Sequence, residues 1–151
     1  MIPYGKQDIN QDDVDSVNEV LKSEFLTQGP QTPLFEKKVI DYCNADFGVA
    51  VNSATSALHI ACLALGLSKG DWLWTSPNSF VASANCGLYC EAKVDFVDID
   101  PKTYNLSVEA LEKKLINANQ ENKLPKVVVP VQFAGQSCNM KKIHSLSQEY
   151  G

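Results

Sequence analysis

Hydrophobic positions beyond the first third of the chain follow two spacings, one typical of strands and one typical of helices. Short apolar segments precede longer segments of helical periodicity, and this alternation repeats four times. The last of the short segments, 126–131, is rich in β-branched residues, which indicates a strand buried on both faces. Repeated strand–helix units predict an α/β fold with a mostly parallel sheet and flanking helices. The predicted strands are 49–52, 72–75, 94–98 and 126–131, and the helices that follow them are 54–65, 80–89, 108–116 and 140–150.

Two further helices are predicted ahead of the first strand. The first covers residues 11–23, and Asn10 is placed to cap it. The second begins at Thr32, with the threonine as its cap and Pro33 in its first turn. Each helix carries apolar residues at helical spacing, which define the face expected to pack. These residues are Val14, Val17 and Leu21 in the first helix and Phe35 and Val39, expected to face inward, in the second.

The composition is that of an ordinary globular protein, and it limits the kinds of partner that the chain is expected to bind. The chain has 151 residues and a net charge of −5, and without a basic stripe it is not expected to bind nucleic acid. All 13 basic residues are lysines, so a phosphate site would depend on N–H groups, hydroxyls and lysine. The N-terminus lacks the apolar core of a signal peptide, and no apolar run is long enough to span a bilayer. We therefore expect a cytoplasmic protein with no membrane segment.

Small residues follow the predicted strand 49–52. In open parallel sheets, ligands bind beyond the carboxyl ends of the strands. The helix that begins near Ala54 offers unpaired N–H groups and the positive end of its dipole, both of which favour an anion. Thr55 and Ser56 add hydroxyl donors. The residues alone leave two interpretations open, an anion site or an ordinary serine/threonine helix cap with small residues for packing.

Two other strand ends carry residues that could contact a ligand. Phe80 follows the strand 72–75, where a flat heteroaromatic ring could stack on it. The alternative is a phenylalanine of the core. Gly135 follows the strand 126–131 and permits a sharp turn close to a ligand.

The cysteines and two aspartates are expected to be structural. Cys86 and Cys90 lie one helical turn apart, but zinc requires two more ligands and neither histidine has a suitable spacing. Asp98 and Asp100, just before Pro101, are predicted to form a turn. No metal site is predicted. An odd number of cysteines, mostly in apolar runs, indicates buried and reduced thiols at Cys43, Cys62, Cys86, Cys90 and Cys138.

Six short segments of the chain form one ordered set, namely 26–29, 34–36, 52–58, 75–85, 94–99 and 131–135. Together they resemble the DegT/DnrJ/StrS family of sugar aminotransferases. They occur in order and at the family's spacing along the whole chain, and no dinucleotide-binding or P-loop glycine pattern competes with them. The resemblance implies that residues 1–151 are the N-terminal part of the major domain of an aspartate-aminotransferase-like enzyme, of fold type I among pyridoxal-phosphate (PLP) enzymes.

The resemblance also implies a cofactor and the residues that hold it. PLP would be bound with its phosphate at Ala54, Thr55 and Ser56, and Phe80 would stack on its pyridine ring. A sugar-binding edge is implied for five more residues, Tyr4, Glu24, Phe25, Leu26 and Thr27.

Within the family, residues 26–29 and 52–58 are similar to the branch that serves pseudaminic-acid biosynthesis. That likeness implies a UDP-linked 4-keto-6-deoxy N-acetyl sugar as substrate, glutamate as amino donor and a homodimer as the assembled form. The product would be a 4-amino sugar for surface-glycan or nonulosonic acid biosynthesis.

The family's two central catalytic groups have no match in this sequence. Neither the aspartate that pairs with the pyridine nitrogen nor the lysine that holds the cofactor covalently is found, and none of the 13 lysines lies in the required motif. A helix over 140–150 followed by Gly151 should lead into another strand, so we expect a truncated piece that is inactive alone. Two hypotheses remain, part of an aminotransferase or a non-catalytic module that binds PLP or a nucleotide sugar.

Overall fold

The computed structural model describes residues 5–151, which divide after Ala50 into two compact units. Tyr4 lies outside the described residues. The first unit holds two helices, α1 (Gln11–Lys22) and α2 (Gln31–Cys43). The second, from Val51 to Gly151, holds the sheet and the helices around it.

Helix α1 begins as the sequence predicts, at Asn10. The Asn10 side chain accepts hydrogen bonds from the N–H groups of Asp12 and Asp13, and the Asp13 carboxylate accepts the N–H of Asn10. These bonds satisfy three backbone donors at the start of the helix, and the reciprocal pair between Asn10 and Asp13 is a capping box. The predicted apolar stripe is present but uncovered, since Val17 and Leu21 are 59% and 63% exposed.

Two predictions for α2 are wrong. The helix begins at Gln31 after Pro30, whose carbonyl accepts the N–H of Leu34, so Thr32 lies inside the helix and does not cap it. The fixed φ of proline, here −71°, presets the helical turn two residues earlier than predicted. Phe35 and Val39 are exposed and do not face inward, because two helices alone form too small a unit to bury them.

The predicted strand 49–52 is also absent. The N–H of Ala50 donates to the Glu36 carboxylate at 2.8 Å, so this backbone group bonds to a side chain and not to a neighbouring strand. A strand needs a partner for its ladder of hydrogen bonds. The described sheet has three strands, and residues 49–52 pair with none of them.

The second unit confirms the remaining elements and the fold class. Its sheet has three parallel strands, β1 (Trp72–Thr75), β2 (Lys93–Phe96) and β3 (Val127–Val129), in the order β2-β1-β3, so β1 is central. Helices follow the strands as predicted, with end points that differ by a few residues. The elements are α3 (Ala54–Ala64), β1 (Trp72–Thr75), α4 (Ala82–Tyr89), β2 (Lys93–Phe96), α5 (Val108–Gln120), β3 (Val127–Val129), a 3-10 turn (Phe133–Gly135) and α6 (Met140–Tyr150).

Alternating residues of β1 supply the two cores of this unit. Leu73 packs in a cluster that includes Cys62 of α3 and Cys86 of α4. Trp74 packs in the other cluster, with Leu111 of α5. Neighbouring residues of a strand point to opposite faces of the sheet, so α3 and α4 cover one face, and α5 and α6 cover the other.

Gly87 lies where α4 comes closest to the sheet. A Cβ atom at this position would be 3.0 Å from Cγ2 of Val94 and 3.1 Å from Cβ of Leu73. Both distances are shorter than ordinary contacts between carbon atoms. Glycine is therefore required here for close packing of the helix on β1 and β2.

On the other face, Lys114 connects α5 to the sheet. Its Nζ lies 4.8 Å from the centre of the Trp74 ring and 2.6 Å from Oδ2 of Asp95. It also donates to the carbonyl of Phe96 at 2.6 Å. The second tryptophan, Trp72, is partly buried and packs against the same cluster as Trp74.

Candidate functional site

The N-terminus of α3 is organised by three polar side chains. Ser53 is the N-cap, and its Oγ accepts the N–H of Ser56 at 3.2 Å. The Ser56 hydroxyl donates to Oδ1 of Asn52 at 2.7 Å and lies 3.1 Å from the hydroxyl of Ser53. The turn 52–56 is thus held by its own hydrogen bonds, and the predicted helix N-terminus at Ala54 is confirmed.

This helix N-terminus carries no charge of its own. No Asp, Glu or Lys occurs between Asp46 and Lys69, and the first turn of α3 has no acidic residue. By contrast, acidic side chains occupy the first turns of α1 and α5. The positive end of the α3 dipole is therefore not neutralised by a nearby carboxylate, which suits an anionic ligand.

The donors present fit a phosphate group. Ala54 is exposed, whereas Thr55 and Ser56 are half-buried. The N–H and hydroxyl of Ser56 now bond to the neutral oxygens of Ser53 and Asn52. A phosphate that replaced these oxygens would gain charge-assisted hydrogen bonds, which are stronger than neutral ones.

Phe80 lies in the turn after β1, beyond the carboxyl end of the central strand. Its side chain is 75% exposed, so the alternative of a core phenylalanine is wrong. The turn is fixed on both sides, since Ser79 and Ser83 share a hydrogen bond of 2.9 Å and Asn78 donates to the carbonyl of Tyr104. An exposed ring on a fixed turn is available for stacking on a planar ligand.

Four of the five residues implied for a sugar-binding edge are among the described residues, and these four lie in the first unit. Glu24, Phe25, Leu26 and Thr27 are all exposed in the loop between α1 and α2. Gly29 closes this loop, because a Cβ there would be 3.1 Å from Cβ of Phe25. The loop therefore has a defined shape, with its side chains accessible to a ligand.

A buried amide connects two further loops that follow strands. Asn105 is 4% exposed, and its Nδ2 donates to the carbonyls of Gln136 and Ser137. Its Oδ1 accepts the N–H of Phe133 at 2.9 Å. No local sequence pattern indicates this residue, because its hydrogen-bond partners are about thirty positions away in the chain.

Structural roles are confirmed for most of the cysteines and for Asp100. Four thiols are buried, but the predicted burial of Cys43 is wrong, because Cys43 ends α2, a helix in which no residue is buried. Burial, followed by the hydrogen bond with Cys86, raises the pKa of Cys62 to about 12. The N–H groups of Thr103 and Lys102 donate to the Asp100 carboxylate and lower its pKa. Within residues 5–151, no three His, Cys, Asp or Glu side chains are grouped to hold a metal ion.

In the part of the chain that the structure describes, no helix combines the length and the apolar character needed to cross a bilayer.

Comparison with known proteins shows similarity along nearly the entire chain. The profile of the DegT/DnrJ/EryC1/StrS aminotransferase family matches residues 7–151. The chain is 37% identical over 150 residues to the UDP-4-amino-4,6-dideoxy-N-acetyl-beta-L-altrosamine transaminase of Campylobacter jejuni, covering 99% of this chain and 39% of that protein.

Two solved structures have the same fold over this length. One is Helicobacter pylori PseC, an aminotransferase involved in the biosynthesis of pseudoaminic acid, with a TM-score of 0.85 and 31% identity over 98% of this chain and 38% of its own. The other is the putative sugar aminotransferase Spr1654 from Streptococcus pneumoniae in its PMP-form, with a TM-score of 0.84 and 26% identity over 95% of this chain and 35% of its own. The chain thus spans well under half the length of the relatives it matches.

Proposed function

This chain belongs to the DegT/DnrJ/EryC1/StrS aminotransferase family, and from that premise we propose that it forms part of the major domain of a PLP-dependent nucleotide-sugar aminotransferase. The reaction would transfer an amino group from glutamate to a UDP-linked 4-keto-6-deoxy N-acetyl sugar. Support for this substrate comes from two relatives, an altrosamine transaminase and an enzyme of pseudoaminic acid biosynthesis. The product would enter surface-glycan or nonulosonic acid biosynthesis in the cytoplasm.

The observation that carries the proposal is the uncharged, hydroxyl-rich N-terminus of α3. Thr55 and Ser56 would bind the cofactor phosphate through their N–H groups and hydroxyls, with Ala54 leaving room beside them. Phe80 would hold the pyridine ring by stacking on one face. When bound, PLP supplies the electron sink that amino transfer requires.

The substrate and the assembly are proposed from the family. Tyr4 and the exposed loop residues 24–27 would contact the sugar. The full-length protein would be a homodimer. Apolar residues on α3 and at its C-cap support an interface, since Ile60, Leu63 and the cap residue Leu65 are 41%, 51% and 63% exposed. Exposed apolar surface of this kind is typical of faces that a partner covers.

We further propose that the 151-residue chain alone does not complete the reaction. The family's cofactor-binding lysine and its aspartate partner for the pyridine nitrogen have no counterpart among its residues. The alternative function, a non-catalytic module that binds PLP or a nucleotide sugar, would use the same phosphate site without turnover.

A titration of the chain with PLP, followed by absorbance, tests the phosphate site. We expect weak binding that inorganic phosphate competes away. Ser56→Asp should abolish it, because a carboxylate in the first turn repels the phosphate and occupies its place. The matched control is Ser145→Asp, the same change at an exposed position within α6. Equal PLP binding by both variants would reject the assignment of Ser56.

Borohydride trapping with peptide mapping tests the absence of turnover. None of the lysines lies in the family's cofactor-binding motif. We therefore expect the label to be spread over several lysines, and we expect a competing amine to prevent the labelling. Stoichiometric labelling of one lysine, together with amino transfer from glutamate to a keto-sugar, would overturn the proposal that the chain is inactive alone.

A further inference from the structure

The position of Phe80 depends mainly on its backbone. The side chain is 75% exposed, so packing does little to fix the direction of the ring. On its C-terminal side the backbone is anchored to α4, since the carbonyl of Phe80 accepts the N–H of Ser83 at 3.0 Å. The hydroxyls of Ser79 and Ser83 share a hydrogen bond of 2.9 Å on the same side. The contacts on the N-terminal side of the turn decide whether the ring is held from both directions.

Asn78 supplies the anchor on the N-terminal side. Its Nδ2 donates to the carbonyl of Tyr104 at 2.9 Å, which joins the turn after β1 to the loop after β2. The two residues are 26 positions apart in the chain, so this hydrogen bond is a tertiary contact and not part of a local turn. Asn78 is half-buried, which limits competition from solvent for the bond.

The carbonyl that Asn78 binds is itself held in place. It belongs to the peptide group between Tyr104 and Asn105, and Asn105 is 4% exposed. The Asn105 side chain makes three hydrogen bonds to backbone groups within residues 133–137, in the segment after β3. Displacing this amide would leave buried polar groups unpaired, which costs free energy. The peptide group therefore has a defined position, set by the loops after β2 and β3 together.

We propose that Asn78 is a positioning residue, which fixes the turn after β1 so that the Phe80 ring meets one face of the cofactor's pyridine ring. This inference rests on the proposed function, in which Phe80 stacks on PLP. Stacking requires two rings in contact at a suitable angle, so a turn that shifts weakens the interaction even when the ring is still present. Asn78 acts through Phe80 and not by contact with the cofactor.

A double-mutant cycle of Asn78→Ala and Phe80→Leu tests this role through PLP affinity. The full-length protein is freed of PLP and titrated with it, and the absorbance gives the dissociation constant. Loss of the stacked ring in Phe80→Leu should weaken binding by about tenfold, and Asn78→Ala should weaken it by about threefold to fivefold. In the Phe80→Leu background, Asn78→Ala should change the affinity by less than about 1.5-fold, because the ring through which it acts is gone.

A control variant and a second measurement separate positioning from a general effect on the fold. Asn119→Ala is the same change at an exposed position of α5 and should leave PLP affinity unchanged. At saturating PLP, Asn78→Ala should reduce the circular dichroism of the bound cofactor, whereas a purely structural role would lower only the temperature of unfolding. If Asn78→Ala does not fold, Asn78→Asp replaces it, since the cycle cancels the direct effect of the added charge.

The outcomes distinguish this inference from the proposed function. If wild type binds PLP and Phe80→Leu weakens binding, unchanged affinity in Asn78→Ala overturns only the role of Asn78. An equal effect of Asn78→Ala in both backgrounds also overturns it, because Asn78 would then act independently of the ring. If Phe80→Leu binds PLP as wild type does, the stacking assignment is wrong and the inference with it. If wild type binds no PLP, the proposed function itself is wrong.

Discussion

Replacing Gly87 with alanine measures how tightly α4 packs on the sheet, because two opposite effects meet at this position. Alanine in a helix interior is favoured over glycine by about 1 kcal/mol. Its Cβ, however, would be 3.0 Å from Val94 and 3.1 Å from Leu73, which is fully buried in the central strand. Overpacking of this kind costs about 1–3 kcal/mol. The Leu73 contact is with Cβ, which cannot move without the strand, so we expect a net loss of about 1–2 kcal/mol.

Urea denaturation followed by far-UV circular dichroism gives the free energy of unfolding for this comparison. Val94→Ala removes one of the two crowding side chains, so Gly87→Ala should cost less in that background than in wild type. Asn85→Ala, in the same helix, is the control for helix propensity without the crowding. An increase in stability for Gly87→Ala in the wild-type background would refute the reasoning, since propensity would then outweigh packing.

Two further predictions concern titrating groups. A thiol reagent at pH 8 should modify exposed Cys43 quickly and should not modify Cys62 until the chain is unfolded, because burial raises the pKa of Cys62 to about 12. Peptide mapping measures the modification, and rapid modification of Cys62 in the folded chain would contradict this expectation. Burial tends to raise the pKa of Asp95, but hydrogen bonds from Lys114 and the Phe96 N–H, with the Lys114 charge, lower it below 3.8. The stabilisation from this carboxylate should be present above that value and be lost as the pH falls through the lowered pKa, so Asp95→Asn should flatten the acid side of a stability–pH curve. A curve of unchanged shape would show that the ion pair contributes nothing measurable.

The periodicity of the second unit was sufficient to predict its elements, whereas the first unit was not predicted as well. Trp72–Thr75 and Met140–Tyr150 form the strand and the helix where the pattern indicates them, because their apolar residues pack within the same unit. Residues 49–52 have an equally good strand pattern but pair with no described strand. A pattern shows which conformation suits a segment, while the partner that satisfies its backbone depends on the rest of the fold.

The candidate site likewise combines features that the sequence predicts with features that it does not predict. Small residues and hydroxyls near Thr55 predict a helix N-terminus, since that signal is local. The hydrogen bond from Ser56 to Asn52 is also local, but whether it forms depends on side-chain rotamers that the sequence does not specify. The role of Asn105 cannot be predicted from local sequence, because its buried amide forms hydrogen bonds to a segment that only the folded sheet brings near.

The position of the two tryptophans determines what optical measurements report about this chain. Both lie in β1, and Trp74 is 2% exposed beneath the ammonium group of Lys114. The described part of the first unit has no tryptophan, so tryptophan fluorescence, excited selectively over tyrosine, follows only the sheet and its packing with α5. Circular dichroism follows the helices of both units. Denaturation curves from the two methods will therefore coincide only if the units unfold together, and a separation between them would measure how independently residues 5–50 fold.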